Sequence, residues 1–304
     1  ITLHFAQRAR EHSVVDFSIF GDYQNPVEFN FSTAEGFSSQ LRWTSQRINI
    51  FYARTPRVES IAAREFRGFF ATVFAQNMQV CSADAEALSE ALTAAADIVD
   101  YLTEQARLEN ERRQKVRDFA AQHDDFSDHV RDFFTGVDVP PNLTPAEPPP
   151  PQLLRLPLTR QRQQDRSIRG SSGGISAADP KDLISAAQVL GEAAAQVPSG
   201  SVLAGWFDDF TSQCKYGTVE VGDLFVQLDR WRGLNDGDVE WLHAVAKAFQ
   251  AAGSGVITLP NSALRAALRA AGTPLWRTDL DITSPGLSGI DPRTGYLEDP
   301  INSA

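Results

Sequence analysis

Apolar residues recur at helical spacing from Leu88 to Arg117, and no glycine or proline interrupts the chain between Gly68 and Gly136. The apolar positions lie three or four residues apart and comprise Leu88, Ala91, Leu92, Ala95, Ile98, Val99, Leu102 and Ala106. This recurrence predicts a long helix with one apolar stripe. Because helix stability in water comes mostly from burying such a face, we expect a partner helix to cover it.

The segment from Phe37 to Glu65 carries a second helical stripe and precedes the long helix directly. Its stripe consists of Phe37, Leu41, Ile48, Phe51 and Tyr52. Pro56 lacks a backbone N–H, so we expect it to kink or break this helix. The turn Phe66-Arg67-Gly68 follows, and its glycine lets the chain reverse. The second helix then opens with Phe69, Phe70, Val73 and Phe74. The pattern predicts an antiparallel helical hairpin over residues 37–134.

A second group of helical patterns predicts a small bundle over residues 179–272. Asp179-Pro180 is typical of a helix start, because aspartate caps the first backbone N–H groups and proline needs none. Further helices are expected over 202–214, over 219–231, after a cap at Asn235 or Asp236, and over 260–271. At one predicted junction, Trp231-Arg232-Gly233 repeats the aromatic-x-Gly pattern of the hairpin turn.

Three segments lack helical spacing. Residues 1–36 alternate apolar and polar positions around a turn, which predicts a short β-hairpin with Val15, Phe17 and Ile19 on one strand and Val27, Phe29 and Phe31 on the other. Residues 135–178 are rich in proline, arginine and glycine, which indicates a linker. Its arginines belong to a solvated tether or contact an anionic surface. Residues 273–304 are rich in turn formers and predict an extended connector. The predicted fold class is therefore mainly α.

Composition narrows the choice of partners. The chain has 304 residues and a net charge of −11, so phosphate groups repel it and nucleic acid is not an expected partner. No run of about 18 apolar residues predicts a transmembrane segment, and no cleavable signal peptide is visible. The chain begins at Ile1, and we expect it to be a piece of a longer protein. Cys81 and Cys214 match no metal spacing and are expected to be unpaired thiols.

The sequence contains no recognisable catalytic motif. It has no Gly-x-Ser-x-Gly elbow, no phosphate-binding loop and no dinucleotide fingerprint. His123 and His129 are six residues apart and would point to different faces of a helix. Asp208-Asp209 and the pair Asp236 and Asp238 could do acid–base work, but carboxylates at helix starts more often cap them. We therefore predict no catalytic residues, no metal and no cofactor.

Residues 37–134, with Phe66-Arg67-Gly68 at the turn, resemble the WXG family, the helical-hairpin substrates of ESX-type (type VII) secretion. The family has tryptophan where Phe66 stands. Its export signal includes Tyr-x-x-x-Asp/Glu near the end of the second helix; Tyr101 lies in that region, with Gln105 in the acidic position. The resemblance implies export or cell-surface display without a cleavable signal peptide. It also implies recognition by a small WXG-like helical protein or by the secretion ATPase.

The last ten residues, Gly295 to Ala304 (GYLEDPINSA), resemble the opening of the domain that precedes Rhs/YD repeats. Together with the segment from Trp231 to Gly272, the layout is similar to actinobacterial Rhs-type polymorphic toxins. In those proteins an N-terminal helical region leads into a repeat shell that encloses a C-terminal toxin. The resemblance implies that this chain is the delivery region, with the Rhs repeat shell of the same polypeptide as a further partner.

These observations predict a non-enzymatic region for export targeting and docking, recognised through an exposed face of the hairpin. The candidate partner-binding residues are Phe66, Gly68, Phe69, Phe74, Tyr101, Trp231 and Gly233. Two alternatives stay open. Residues 179–272 could cap or plug the repeat shell, or the chain could be an enzyme of an unrecognised type.

Overall fold

The computed structural model describes residues 20–123, 149, 152–153 and 174–270. The described chain is mainly helical, which confirms the predicted fold class. The helices are α1 Phe31–Ala62, α2 Phe69–His123, α3 Pro180–Ala194, α4 Gly200–Gln213, α5 Leu224–Ala252 and α6 Asn261–Ala270. None of these helices is long and apolar enough to cross a membrane.

Helices α1 and α2 form the predicted antiparallel hairpin. The Ser38 hydroxyl donates to Asp100 at 2.6 Å near one end, and the hydroxyls of Thr55 and Ser82 lie 3.0 Å apart near the other. Residues that come later in α1 therefore face residues that come earlier in α2. Asp179 caps α3 as predicted, because its side chain accepts the Lys181 N–H at 2.9 Å.

The described half of the predicted N-terminal β-hairpin is not a strand. Helix α1 begins at Phe31, six residues before the predicted start, because the Asn30 side chain accepts the Thr33 N–H and caps it. Val27 and Phe29 are buried in an irregular segment, and Phe29 forms an isolated bridge with Cys214. The predicted first strand, with Val15, Phe17 and Ile19, lies outside the described residues.

Pro56 is predicted to kink or break α1, and the break is wrong, because the helix continues through the proline. A proline leaves the carbonyl four residues earlier without its helical N–H donor. In α1 that carbonyl belongs to Tyr52, and the Thr55 hydroxyl donates to it at 2.8 Å. Phe51 and Val58 are buried on either side, so packing favours a helix that continues through the proline.

The predicted helix junction at Trp231-Arg232-Gly233 is also wrong, because α5 runs through it without a break. Asn235 is not a cap. It is buried in the middle of α5, and its side-chain oxygen accepts the thiol of Cys81 at 2.9 Å. The buried face keeps its helical spacing across Gly233, through Trp231, Asn235 and Asp238 to Leu242, so burial favours one long helix over two short ones.

Five short strands join the helices. They are β1 Arg67–Gly68, β2 Gln152–Leu153, β3 Ile175–Ala178, β4 Val219–Glu220 and β5 Ile257–Pro260. The first sheet has the order β1-β3-β5 and is antiparallel, with Gly68 opposite Ser176. Strands β2 and β4 pair in parallel. The central strand, β3, comes from the end of the predicted linker.

One apolar core runs through the hairpin and the helices after it. The rings of Phe51 on α1 and Trp231 on α5 meet edge to face with centroids 4.8 Å apart. The rings of Phe74 on α2 and Trp241 on α5 stack at 6.3 Å. The inner face of the hairpin is therefore covered by α3–α5.

Candidate docking site

The hairpin residues predicted to form an exposed face lie largely inside the molecule. Phe66 and Phe74 are buried, and both rings face Trp241 of α5. This corrects the prediction of an exposed face there: the turn is covered because α5 carries a large aromatic residue where the two hairpin helices meet. Phe66 therefore helps to join the hairpin to the second group of helices.

Gly68 and Phe69 have structural partners of their own. Gly68 has φ of +89°, and a Cβ there would lie 2.3 Å from the carbonyl oxygen of Ile175 in β3. This glycine is required for the turn and for the close approach of β1 to β3. The Phe69 ring is partly buried, and the Arg265 guanidinium lies 5.1 Å from its centroid.

The other candidate residues do not converge with the turn. Trp231 is fully buried, and Gly233 sits inside α5 with open space where a Cβ would be. Tyr101 is 46% exposed on α2, far along the helix from Phe66. The structure therefore does not assemble the seven predicted residues into one surface.

The structure leaves instead one flank of α1 accessible, with two of its side chains exposed and the others half-buried. We call it the outer stripe; its residues, each three or four after the last, are Gly36, Gln40, Trp43, Arg47, Ile50, Arg54 and Arg57. Trp43 is 41% exposed, and the Arg47 guanidinium lies over its ring at 5.1 Å from the centroid. At the start of the stripe, the Trp206 ring of α4 covers Gly36, where a Cβ would come 2.9 Å from a ring carbon.

The outer stripe carries unneutralised positive charge. No aspartate or glutamate occurs between Glu35 and Glu59, whereas four arginines do. Arg42 is neutralised by Asp97 and Asp100 of α2 at 2.7 and 2.6 Å, and these hydrogen bonds raise its pKa. Within the described residues, no ion pair joins a carboxylate to the three arginines of the outer stripe, Arg47, Arg54 and Arg57.

Sequence reasoning missed the outer stripe because it followed the apolar positions of α1. The three-and-four spacing of Trp43, Arg47, Ile50 and Arg54 is nevertheless visible in the sequence. The tryptophan of this stripe lies among arginines and outside the apolar stripe of α1, so the apolar pattern does not reveal it. The net charge of a helix face depends on which of its arginines form ion pairs with carboxylates of other elements. Those pairs are known only from the structure.

A second polar cluster, on the last turns of α2, has an evident structural role. Three arginines donate to backbone carbonyl oxygens of the segment that precedes α1. Arg112 donates to Phe20 at 3.1 Å, Arg113 to Asn25 at 2.8 Å and Arg117 to Tyr23 at 2.6 Å. Glu109 is buried among them and accepts from Arg112 and Arg113 at 2.8 Å. Burial raises the pKa of Glu109, but the hydrogen bonds from the two arginines outweigh it and leave that pKa below its usual value.

A surface pocket of about 310 Å³ opens beside this cluster, between Asp22, Arg113, Lys215 and Tyr216. Arg113 already pairs with Asp22 and Glu109, and Lys215 donates to the Thr211 carbonyl at 2.7 Å. The positively charged side chains that line the pocket are therefore already bound by groups of the protein. Among the described residues, no cluster of His, Cys, Asp or Glu has the arrangement to hold a metal ion.

Both cysteines are buried, and neither forms a disulfide. The Cys81 thiol donates to Asn235, and burial raises the pKa of the Cys214 thiol. A raised thiol pKa disfavours the nucleophilic thiolate.

No protein-family model, no curated protein and no solved structure matches the chain.

Proposed function

We propose that this chain is a helical docking module, recognised by another protein through the outside of its α1–α2 hairpin. The observation that carries the proposal is the outer stripe of α1, where Trp43 stays exposed beside arginines that the described fold leaves without carboxylates. Tryptophan and arginine are the residues most enriched among those that dominate protein–protein binding energy. The inner face of the hairpin is buried, so recognition uses the outer flank and needs no unpacking of the core.

The resemblance of the hairpin to WXG substrates supports a role in export. Two long antiparallel helices meet at an aromatic-x-Gly turn, as in the WXG resemblance. In this proposal the chain directs a larger secreted toxin with a repeat shell to a type VII secretion system. The recognising protein is a small WXG-like helical partner or the secretion ATPase, and the module itself does no chemistry.

Export from a producing host tests the proposal. The full chain is expressed in an actinobacterial strain with an active type VII system and in the same strain lacking the secretion ATPase. We expect the chain in the culture filtrate or on the cell surface only when the ATPase is present. A protein exported through the general pathway serves as the control and should be unaffected.

Two results would contradict the proposal. Equal export in the two strains would remove the link to type VII secretion. An enzymatic activity of the purified chain that disappears in Asp209→Asn or Asp236→Asn, with helix content unchanged, would favour the enzyme alternative.

A further inference from the structure

The outer stripe has the geometry of a surface that binds a second α-helix. Its residues from Gln40 to Arg57 follow one another at intervals of three and four, so they stay on one flank of α1. At 1.5 Å per residue the stripe is about 25 Å long. Apolar or amphipathic side chains, Trp43 and Ile50, alternate along it with Arg47 and Arg54. A straight row of this spacing matches the side-chain rows of an α-helix laid alongside.

The charge of the stripe selects the partner. The whole chain has a net charge of −11, yet this flank presents Arg47, Arg54 and Arg57 with no carboxylate partner in the described residues. Elsewhere on the hairpin the same residue type is neutralised, as with Arg42 by Asp97 and Asp100 and Arg107 by Glu35. A complementary surface must therefore supply carboxylates at matching intervals.

We propose that the outer stripe of α1 binds an acidic amphipathic helix of a partner protein, an inference that rests on the docking function proposed above. The apolar face of that helix covers Trp43 and Ile50, and its carboxylates pair with Arg47, Arg54 and Arg57. Arginine suits this task because its planar guanidinium donates two parallel hydrogen bonds to a carboxylate.

Trp43 and Arg47 form the centre of the binding surface. The guanidinium already lies over the indole ring at 5.1 Å, which restrains both side chains before a partner arrives. Less side-chain freedom is then lost on binding. The net negative charge of the chain disfavours a lipid or nucleic-acid surface, because the rest of the molecule repels phosphate at long range.

A designed peptide tests the inference on the full chain. The probe is a fluorescent synthetic peptide of about three heptads with leucine at the two core positions and glutamate at the flanking ones. Its controls are a scrambled peptide of the same composition and a peptide with lysine in place of glutamate. Fluorescence anisotropy measures binding. We expect the acidic helix to bind and both controls to fail, with binding weakened by salt.

Variants locate the binding on the outer stripe. The triple substitution Arg47→Gln, Arg54→Gln, Arg57→Gln and the single substitution Trp43→Ala should each weaken binding at least about tenfold. The matched control, Arg67→Gln, Arg232→Gln, Arg269→Gln, changes the net charge equally on other surfaces and should bind like the wild type. Circular dichroism checks that every variant keeps its helix content.

Several outcomes would overturn the inference. The stripe variant and the control variant could bind alike, or the scrambled peptide could bind as well as the amphipathic one. The stripe could instead be needed for binding vesicles of phosphatidylcholine and phosphatidylglycerol or duplex DNA, with no binding of the acidic helix. If ATPase-dependent export persists in the stripe variant, this inference fails while the docking function stands; if export never needs the ATPase, the function itself fails.

Discussion

The indole Nε1–H of Trp231 donates to the backbone carbonyl oxygen of Cys81 at 3.3 Å. This bond joins the N-terminal part of α5 to the N-terminal part of α2 inside the core. Next to it, the Cys81 thiol donates to Asn235 at 2.9 Å. The hairpin and the second group of helices are therefore joined by directed polar contacts as well as by apolar packing, and we expect them to unfold together.

Truncating Trp231 should destabilise the hairpin and the later helices at once. Trp231→Ala removes a fully buried ring and should lower the free energy of unfolding by about 3–5 kcal/mol. Trp231→Phe keeps most of the packing and should cost about 1 kcal/mol for the lost hydrogen bond. Urea denaturation followed by circular dichroism measures both. Trp206→Ala is the control, because Trp206 is 37% exposed, and its cost should be well below that of Trp231→Ala.

Thr55 should matter because of Pro56. Thr55→Val removes the hydroxyl that donates to the Tyr52 carbonyl and should lower the free energy of unfolding by about 1 kcal/mol. In a Pro56→Ala background the new N–H at position 56 can donate to that carbonyl, so the same substitution should cost less. A double-mutant cycle by thermal unfolding measures the coupling. Equal costs in the two backgrounds would show that the threonine does not compensate for the proline.

Two glycines that share the aromatic-x-Gly pattern should respond in opposite directions. Gly68→Ala forces a Cβ into the β3 backbone at positive φ and should destabilise the fold by at least about 2 kcal/mol. Gly233→Ala fills open space inside α5 and should stabilise it by about 0.5–1 kcal/mol. Thermal unfolding of the two variants measures both. A loss of stability in Gly233→Ala would mean that α5 is interrupted there.

Low pH should weaken the packing of the segment before α1 against α2. The pKa of Glu109 is lower in the folded protein than in the unfolded chain. The stability that Glu109 contributes is therefore fully present above its pKa in the unfolded chain, and it is lost as the pH falls through its pKa in the folded protein. Glu109→Gln should be about 2 kcal/mol less stable than the wild type near neutral pH, because Arg112 stays buried without its counter-charge. Unfolding at a series of pH values should show this gap closing toward acid. A gap that is independent of pH would assign the cost to packing alone.

The sequence predicted the elements that depend on local signals. The unbroken apolar stripe of α2 and the Asp179-Pro180 helix start were both found where they were expected. Local rules failed where tertiary contacts override them. Pro56 should end a helix, but a neighbouring hydroxyl and buried residues on both sides keep α1 intact. Asn235 should cap a helix, but burial against Cys81 carries α5 past it.

The candidate site was harder to predict than the fold. Phe66 and Phe74 look like an exposed anchor from sequence, because nothing local shows that Trp241 will cover them. The short strand β3 lies in a segment whose composition indicates a linker, and its pairing with β1 and β5 is a long-range event. The spacing of the outer stripe is visible in the sequence, but its charge balance is not. Asp97 and Asp100 neutralise Arg42, whereas no carboxylate of the described residues pairs with the stripe's arginines.

Site-specific photo-crosslinking in the exporting host tests the central claim most directly. A photoreactive amino acid replaces Gln40, which is partly accessible on the outer stripe, or, as the control, Val256 on another exposed surface. We predict that position 40 crosslinks to a helical partner or to the ATPase of the type VII system, identified by mass spectrometry, while position 256 does not. Equal crosslinking at the two positions, or none to any secretion component at position 40, would contradict the claim that another protein recognises the outside of this hairpin.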